Sequence, residues 1–114
     1  MTSMTLKCSI ENTFEQCEKL LLKKNALYAV PSDVFGNFRK SAELQGRTQK
    51  QVLLGYMTKH TVSIADMIAS NTIGSKEIVY EKIMDNINYL LILKAMIEEE
   101  PTIQILGNTE ENKK

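Results

Sequence analysis

Apolar side chains recur every three or four residues along most of the chain, the spacing that places them on one face of an α-helix. The first such segment starts at a capping box formed by Thr13 and Gln16 and extends to about Lys24. The second follows Ser32, a candidate N-cap, and ends at Gly46, a residue typical of helix C-termini. Both segments have the length of helices packed in a small domain.

Two longer segments follow. Thr48 and Gln51 form a second capping box, which opens a third helix that extends to about Ala69. A fourth helix starts after Ser75 and ends before Pro101, which cannot continue it. Short connections between helices favour antiparallel neighbours. The sequence therefore predicts an all-α protein, an antiparallel helical bundle of about four helices.

The ends of the chain lack this periodicity. We predict a flexible N-terminal arm over residues 1–10, a single helical domain over 11–106 and a disordered polar tail over 107–114. A total of 114 residues suits one hydrophobic core. The fourth helix is apolar on more than one face between Leu90 and Ile97, so a homodimer that buries its second face is expected.

Charge and hydropathy exclude two classes of partner. Fourteen basic and fourteen acidic residues cancel, so the chain has no positive field for nucleic acid or for an anionic membrane. The longest apolar runs, such as 90–93, are far too short to cross a bilayer. We expect a cytoplasmic protein, and the charge balance does not exclude small charged ligands.

The fourth helix carries polar residues inside an apolar stretch. Asp85 and Asn88, three residues apart, share one face, and Glu81 extends the same polar line. A carboxylate on a buried helix needs a paired charge, a hydrogen bond or a cation. Glu81 and Asp85 are therefore candidate ligands for a divalent cation such as magnesium. His60 falls on the inward face of the third helix, as a core histidine or a ligand contact, and could converge with Asp85 and Asn88.

A second candidate site contains basic, amide and aromatic side chains. Its members are Lys23, Lys24, Asn25, Tyr28, Asn37 and Arg39. Cationic groups hold phosphate, and an aromatic ring can stack on a base. Lysines at the end of a helix also stabilise its dipole, so a capping role is the alternative.

Four segments, 20–28, 35–44, 59–67 and 85–90, resemble small phage and prophage proteins of the nucleotide-modification-associated, MazG-like group. That group is similar to the all-α nucleoside triphosphate pyrophosphohydrolases. The resemblance implies a helical bundle that works as an oligomer in the host cytoplasm. It also implies magnesium bound by two acidic motifs, and cleavage of a nucleotide between its α and β phosphates.

Asp85 and Tyr89 match the second metal motif of those enzymes, but other positions depart from it. Lys82 stands where that motif has an acid, and the third helix presents Lys59, His60 and Ser63 where paired acids are expected. The resemblance therefore implies a nucleotide or phosphate ligand at that cleft, bound by a degenerate hydrolase site.

Two alternatives remain open. One is a non-catalytic phage accessory protein that acts through helix-mediated self-association or partner binding. The other is an intact hydrolase whose metal ligands are Glu15, Glu18, Glu81 and Asp85.

Overall fold

Four α-helices account for most of the part of the chain that the computed structural model describes, namely residues 1–28, 32–70 and 74–101. The side chains of 25–28 lie outside this description. The helices are α1 (Ser3–Tyr28), α2 (Gly36–Gln45), α3 (Gln49–Ser70) and α4 (Lys76–Glu99). The prediction of an all-α bundle of about four helices is confirmed.

Local capping sets two helix boundaries as the sequence predicts. Gly46 ends α2 with φ of 63°, a left-handed conformation that an L side chain adopts only with strain. The Thr48 and Gln51 box opens α3: the Thr48 amide donates to Gln51 Oε1 at 2.9 Å, and the Gln51 amide donates to Thr48 Oγ1 at 3.1 Å. Both caps satisfy backbone groups that a helix end leaves unpaired.

Two helix starts differ from the prediction. The first helix begins at Ser3 instead of Thr13, so most of residues 1–10 belong to α1. Thr2 caps this end, because its Oγ1 accepts a hydrogen bond from the Thr5 amide at 3.1 Å. The second helix begins at Gly36, after a turn closed by its amide on the Asp33 carbonyl. The predicted tail, 107–114, lies outside the described residues.

Helices α3 and α4 form the antiparallel centre of the bundle. Tyr56 of α3 stacks against Tyr89 of α4. His60, one turn further along α3, contacts Asp85, which lies one turn before Tyr89 on α4, so the two helices run in opposite directions. Helix α2 packs on α3, and α1 packs on α4.

Phe35, Leu53 and Met96 form a small buried core at one end of this pair. Leu53, near the start of α3, is fully buried, whereas Ile68, near the end of the same helix, is exposed. No helix within the described ranges is long and apolar enough to span a membrane.

Candidate functional site

A cavity of about 380 Å³ lies where the four packed elements meet. Its wall is formed by side chains from all four helices and from the turn before α2: Leu21, Lys24, Val34, Asn37, Phe38, Tyr56, Asp85, Asn88, Tyr89 and Ile92. Its volume is in the range of pockets that bind small molecules. Asp85 and Asn88 of the predicted polar line on α4 therefore line a cavity, whereas Glu81 does not.

Asp85 is the charged centre of this cavity. Its Oδ1 accepts from Lys24 Nζ at 3.0 Å, and its Oδ2 lies 3.2 Å from His60 Nε2. The Asp85 side chain is only 13% exposed, whereas that of Lys24 is 45% exposed. A buried carboxylate is costly without compensation, and here each oxygen has a partner from a different helix. Lys24 thus stands at the mouth of the cavity and Asp85 on its floor.

His60 faces a hydrogen-bond acceptor with each of its ring nitrogens. Nδ1 lies 3.2 Å from the carbonyl oxygen of Tyr56, and Nε2 faces the Asp85 carboxylate. A neutral imidazole carries one N–H and can satisfy one of these acceptors, whereas the doubly protonated ring satisfies both. The ring is therefore held between the backbone of α3 and the Asp85 carboxylate.

Three aromatic rings form one side of the cavity. Phe38 meets Tyr56 edge to face, with ring centroids 6.0 Å apart, and Tyr56 stacks on Tyr89 at 6.1 Å. His60 meets the same Tyr89 ring at 5.3 Å. Burial, followed by the negative charge of Asp85, raises the pKa of Tyr89, while Lys24 opposes this shift. The Tyr89 phenol therefore stays neutral and keeps its O–H as a donor.

Asn88 is the most deeply buried polar side chain in the cavity wall, with 5% exposure. Its Nδ2 donates to the carbonyl oxygen of Cys17 at 3.1 Å, which fixes the orientation of the amide. Its Oδ1 is buried and has no hydrogen-bond partner within the described residues. Such an unsatisfied acceptor destabilises a folded protein, so this atom is a candidate ligand contact.

Cys17 lies behind this wall and is fully buried. Burial, with a smaller effect of the Asp85 charge, raises the pKa of its thiol. A thiol with a raised pKa is a poor nucleophile, so its role is packing.

The structure brings together five of the predicted site residues: Lys24, Asn37, His60, Asp85 and Asn88. The first four lie on four different elements, so their meeting is a tertiary effect.

The remaining predicted residues lie elsewhere. Lys23 and Lys59 are exposed and are not among the residues that line the cavity, and Ser63 is half-buried on α3 away from its wall. Arg39 pairs with Asp33 and borders a separate open groove. The Asn25 and Tyr28 side chains lie outside the described part of the chain.

The predicted metal ligands Glu81 and Asp85 do not belong to a larger cluster of acidic side chains in the described residues. Glu81 is exposed, and the described ranges contain no group of three or more His, Cys, Asp or Glu side chains that could hold a metal ion. Both oxygens of Asp85 already have cationic or N–H partners. Magnesium usually keeps several waters and is held by one or two carboxylates together with substrate phosphates, and Asp85 is the one carboxylate among the described residues that line the cavity. Glu15, a metal ligand in the intact-hydrolase alternative, pairs with Lys19 at 3.4 Å on the surface.

Tyr56 is the main site residue that the sequence patterns did not single out. It lies four residues before His60, so both share one face of α3. Following that face back by one turn from His60 would have identified it.

Comparison of the chain with protein-family models, with curated proteins and with solved structures gave no match.

Proposed function

We propose that the cavity binds a nucleotide or a related phosphate-bearing small molecule, in a domain of the MazG-like kind. The observation that carries this proposal is the combination of a stacked aromatic wall with a buried amide whose acceptor is unpaired. Planar heterocycles bind where an aromatic ring stacks on their face and a few fixed polar groups form hydrogen bonds with the atoms at their edges.

The charges of the cavity orient the ligand. Asp85 on the floor repels phosphate, while Lys24 at the half-exposed mouth attracts it. The base therefore enters beside Tyr56 and Tyr89, and the phosphates remain at the mouth, next to Lys24 and solvent. This arrangement leaves the most strongly charged part of the ligand hydrated, which avoids a large desolvation cost.

Asn88 supplies the polar contact to the base. Its Nδ2 donates to the Cys17 carbonyl and its Oδ1 has no partner in the described residues, so the group available to a ligand is a hydrogen-bond acceptor. A ligand N–H that reaches it would satisfy a buried atom that is otherwise unpaired, and a ligand carbonyl at the same place would be disfavoured.

Adjacent lysines provide a matched pair of variants to test this orientation. Lys24→Gln removes the cation at the cavity mouth, whereas Lys23→Gln removes an exposed charge that is not part of the cavity wall. Ligand binding is measured by thermal shift and calorimetry with a panel of nucleosides and of nucleoside mono-, di- and triphosphates, with and without magnesium. Lys24→Gln is expected to weaken nucleotide binding by about tenfold and to leave nucleoside binding nearly unchanged. Lys23→Gln is expected to behave as wild type.

Two results would contradict the proposal. A melting temperature unchanged by every member of the panel, at concentrations far above any physiological level, would remove nucleotide binding altogether. Equal losses in the two lysine variants would show that attraction is a diffuse surface effect. Pyrophosphate release is assayed with the same panel, and release that Asp85→Asn abolishes would extend the proposal from binding to hydrolysis.

A further inference from the structure

Helix α1 carries an apolar stripe from Leu6 to Leu21, and only the second half of this stripe is covered. Leu6, Ile10, Phe14, Cys17 and Leu21 follow one another at intervals of three and four residues, so they share one face. Cys17 is fully buried against α4, and Leu21 lines the cavity. The same face continues to the N-terminus.

The first half of this stripe is bare. Leu6, Ile10 and Phe14 are 50%, 47% and 52% exposed, although they stand on a regular helix. Residues 3–16 form a rod about 21 Å long. The radius of gyration is 17.4 Å, whereas a compact domain of about this size has a value near 13 Å. Within the ranges that the structure describes, these three side chains therefore remain about half exposed.

The spacing of the bare stripe matches a second copy of itself. Leu6, Ile10 and Phe14 are equally spaced, so an antiparallel pair centred on Ile10 places Leu6 against the partner's Phe14 and Ile10 against the partner's Ile10. A two-fold axis through Ile10 generates this arrangement, and two-fold dimers are the commonest oligomers.

The charges beside the stripe select the antiparallel orientation. Lys7 and Glu11 lie on the same flank, and neither has an ion-pair partner within the residues that the structure describes. In an antiparallel helix pair, each flank meets the same flank of the other helix. Lys7 then lies about 3 Å along the axis from the partner's Glu11, and the contact is made twice. The opposite flank, with Thr5, Ser9 and Asn12, is uncharged and adds no repulsion.

We infer that residues 3–16 of α1 form the interface of a homodimer, in which two copies of this segment pair antiparallel about Ile10. This interface differs from the α4 face that the sequence pattern suggested. It is also independent of what the cavity binds.

Sedimentation equilibrium of the full chain over a range of concentrations tests this interface. Wild type is expected to be a dimer, and Ile10→Glu, which places two like charges at the two-fold axis, is expected to be a monomer. Ile68→Glu is the matched control, since Ile68 is 75% exposed on α3, and it should remain a dimer. Circular dichroism confirms that each variant keeps its helices. A monomeric wild type would overturn the inference, and so would a dimer that persists in Ile10→Glu.

Orientation is tested by cross-linking and by a charge exchange. In a Cys8→Ser background, Ile10→Cys should form a disulfide-linked dimer on mild oxidation. Leu44→Cys, at an exposed position of α2, should not. Lys7→Glu should weaken the dimer, and the double variant Lys7→Glu with Glu11→Lys should restore it. A dimer in which Ile10→Cys fails to cross-link, or in which the charge exchange restores nothing, would refute the antiparallel pairing.

Discussion

Replacing Asn88 by Leu should make the protein more stable, although Asn88 is buried and hydrogen-bonded. The reason is that only half of its amide is satisfied. Nδ2 donates to the Cys17 carbonyl, but Oδ1 is buried with no partner in the described part of the chain. Leucine removes both polar groups together.

The magnitude follows from three contributions. Loss of the Nδ2 hydrogen bond costs about 1 kcal/mol, and the Cys17 carbonyl, inside α1, keeps its helical partner. Removal of the unpaired Oδ1 abolishes its desolvation penalty and so raises the free energy of unfolding by about 1–3 kcal/mol. The added methyl groups gain about 1 kcal/mol by burial, and the adjoining cavity provides space that limits overpacking. The net expectation is a free energy of unfolding raised by about 1–3 kcal/mol, with nucleotide binding lost.

Urea unfolding followed by circular dichroism at fixed protein concentration measures this change. The midpoint should rise while the slope stays constant, because the surface exposed on unfolding hardly changes. Leu53→Ala is the reference for an ordinary core position, and it should lower the free energy of unfolding by about 2–5 kcal/mol, because Leu53 is fully buried.

Destabilisation of Asn88→Leu by more than about 1 kcal/mol would refute the reasoning, because it would mean that Oδ1 is satisfied in solution and that Asn88 is a structural residue. Stabilisation accompanied by unchanged ligand binding would separate the unpaired acceptor from the proposed function. Only higher stability together with weaker binding supports both, and this is the usual signature of a residue retained for function.

Three further outcomes are expected. Gly46→Ala should lower the free energy of unfolding by about 1 kcal/mol, because φ is positive at this position. Gly55→Ala should raise it by up to about 1 kcal/mol, because Gly55 lies inside α3 and there is open space where the new Cβ would stand. Urea midpoints measure both changes, and equal effects of the two substitutions would contradict the argument that Gly46 is required at the helix end. Thr48→Ala should cost about 1 kcal/mol by the same measurement, since it removes the capping box, and a change below a few tenths would refute that role. Exposed Cys8 should react with iodoacetamide much faster than buried Cys17, as peptide mapping would show. Because the pKa of the Cys17 thiol is raised in the folded protein, its contribution to the free energy of unfolding is complete below about pH 9 and is lost as pH rises through the raised pKa. Cys17→Ala should therefore reduce the loss of stability at alkaline pH, and an unchanged dependence of stability on pH would argue against this contribution.

Local features of the sequence predicted most of the helical architecture. Gly46 and the Thr48 and Gln51 box define the α2–α3 connection because caps are satisfied by residues a few positions away. The start of α1 was not predicted, since the stripe containing Leu6 and Ile10 is bare and so lacks the dense apolar pattern of a covered helix.

The candidate site was predicted in part. A carboxylate within an apolar helix indicated that Asp85 must have partners, and the structure places His60 beside it, where the sequence suggested that the two could converge. The sequence could not distinguish Lys24 from Lys23, since adjacent helical residues point in directions about 100° apart, and only the packing of α1 decides which one turns inward.

The sequence by itself determined where the helices form and that Asp85 requires compensation, because both follow from interactions within one or two helical turns and from the cost of burying charge. The tertiary structure decided which side chains compensate the charge of Asp85. Lys24 and Asp85 are 61 residues apart in the chain, and Cys17 and Asn88 are 71 apart. Contacts over such separations depend on how four helix faces pack together, and no local pattern encodes them.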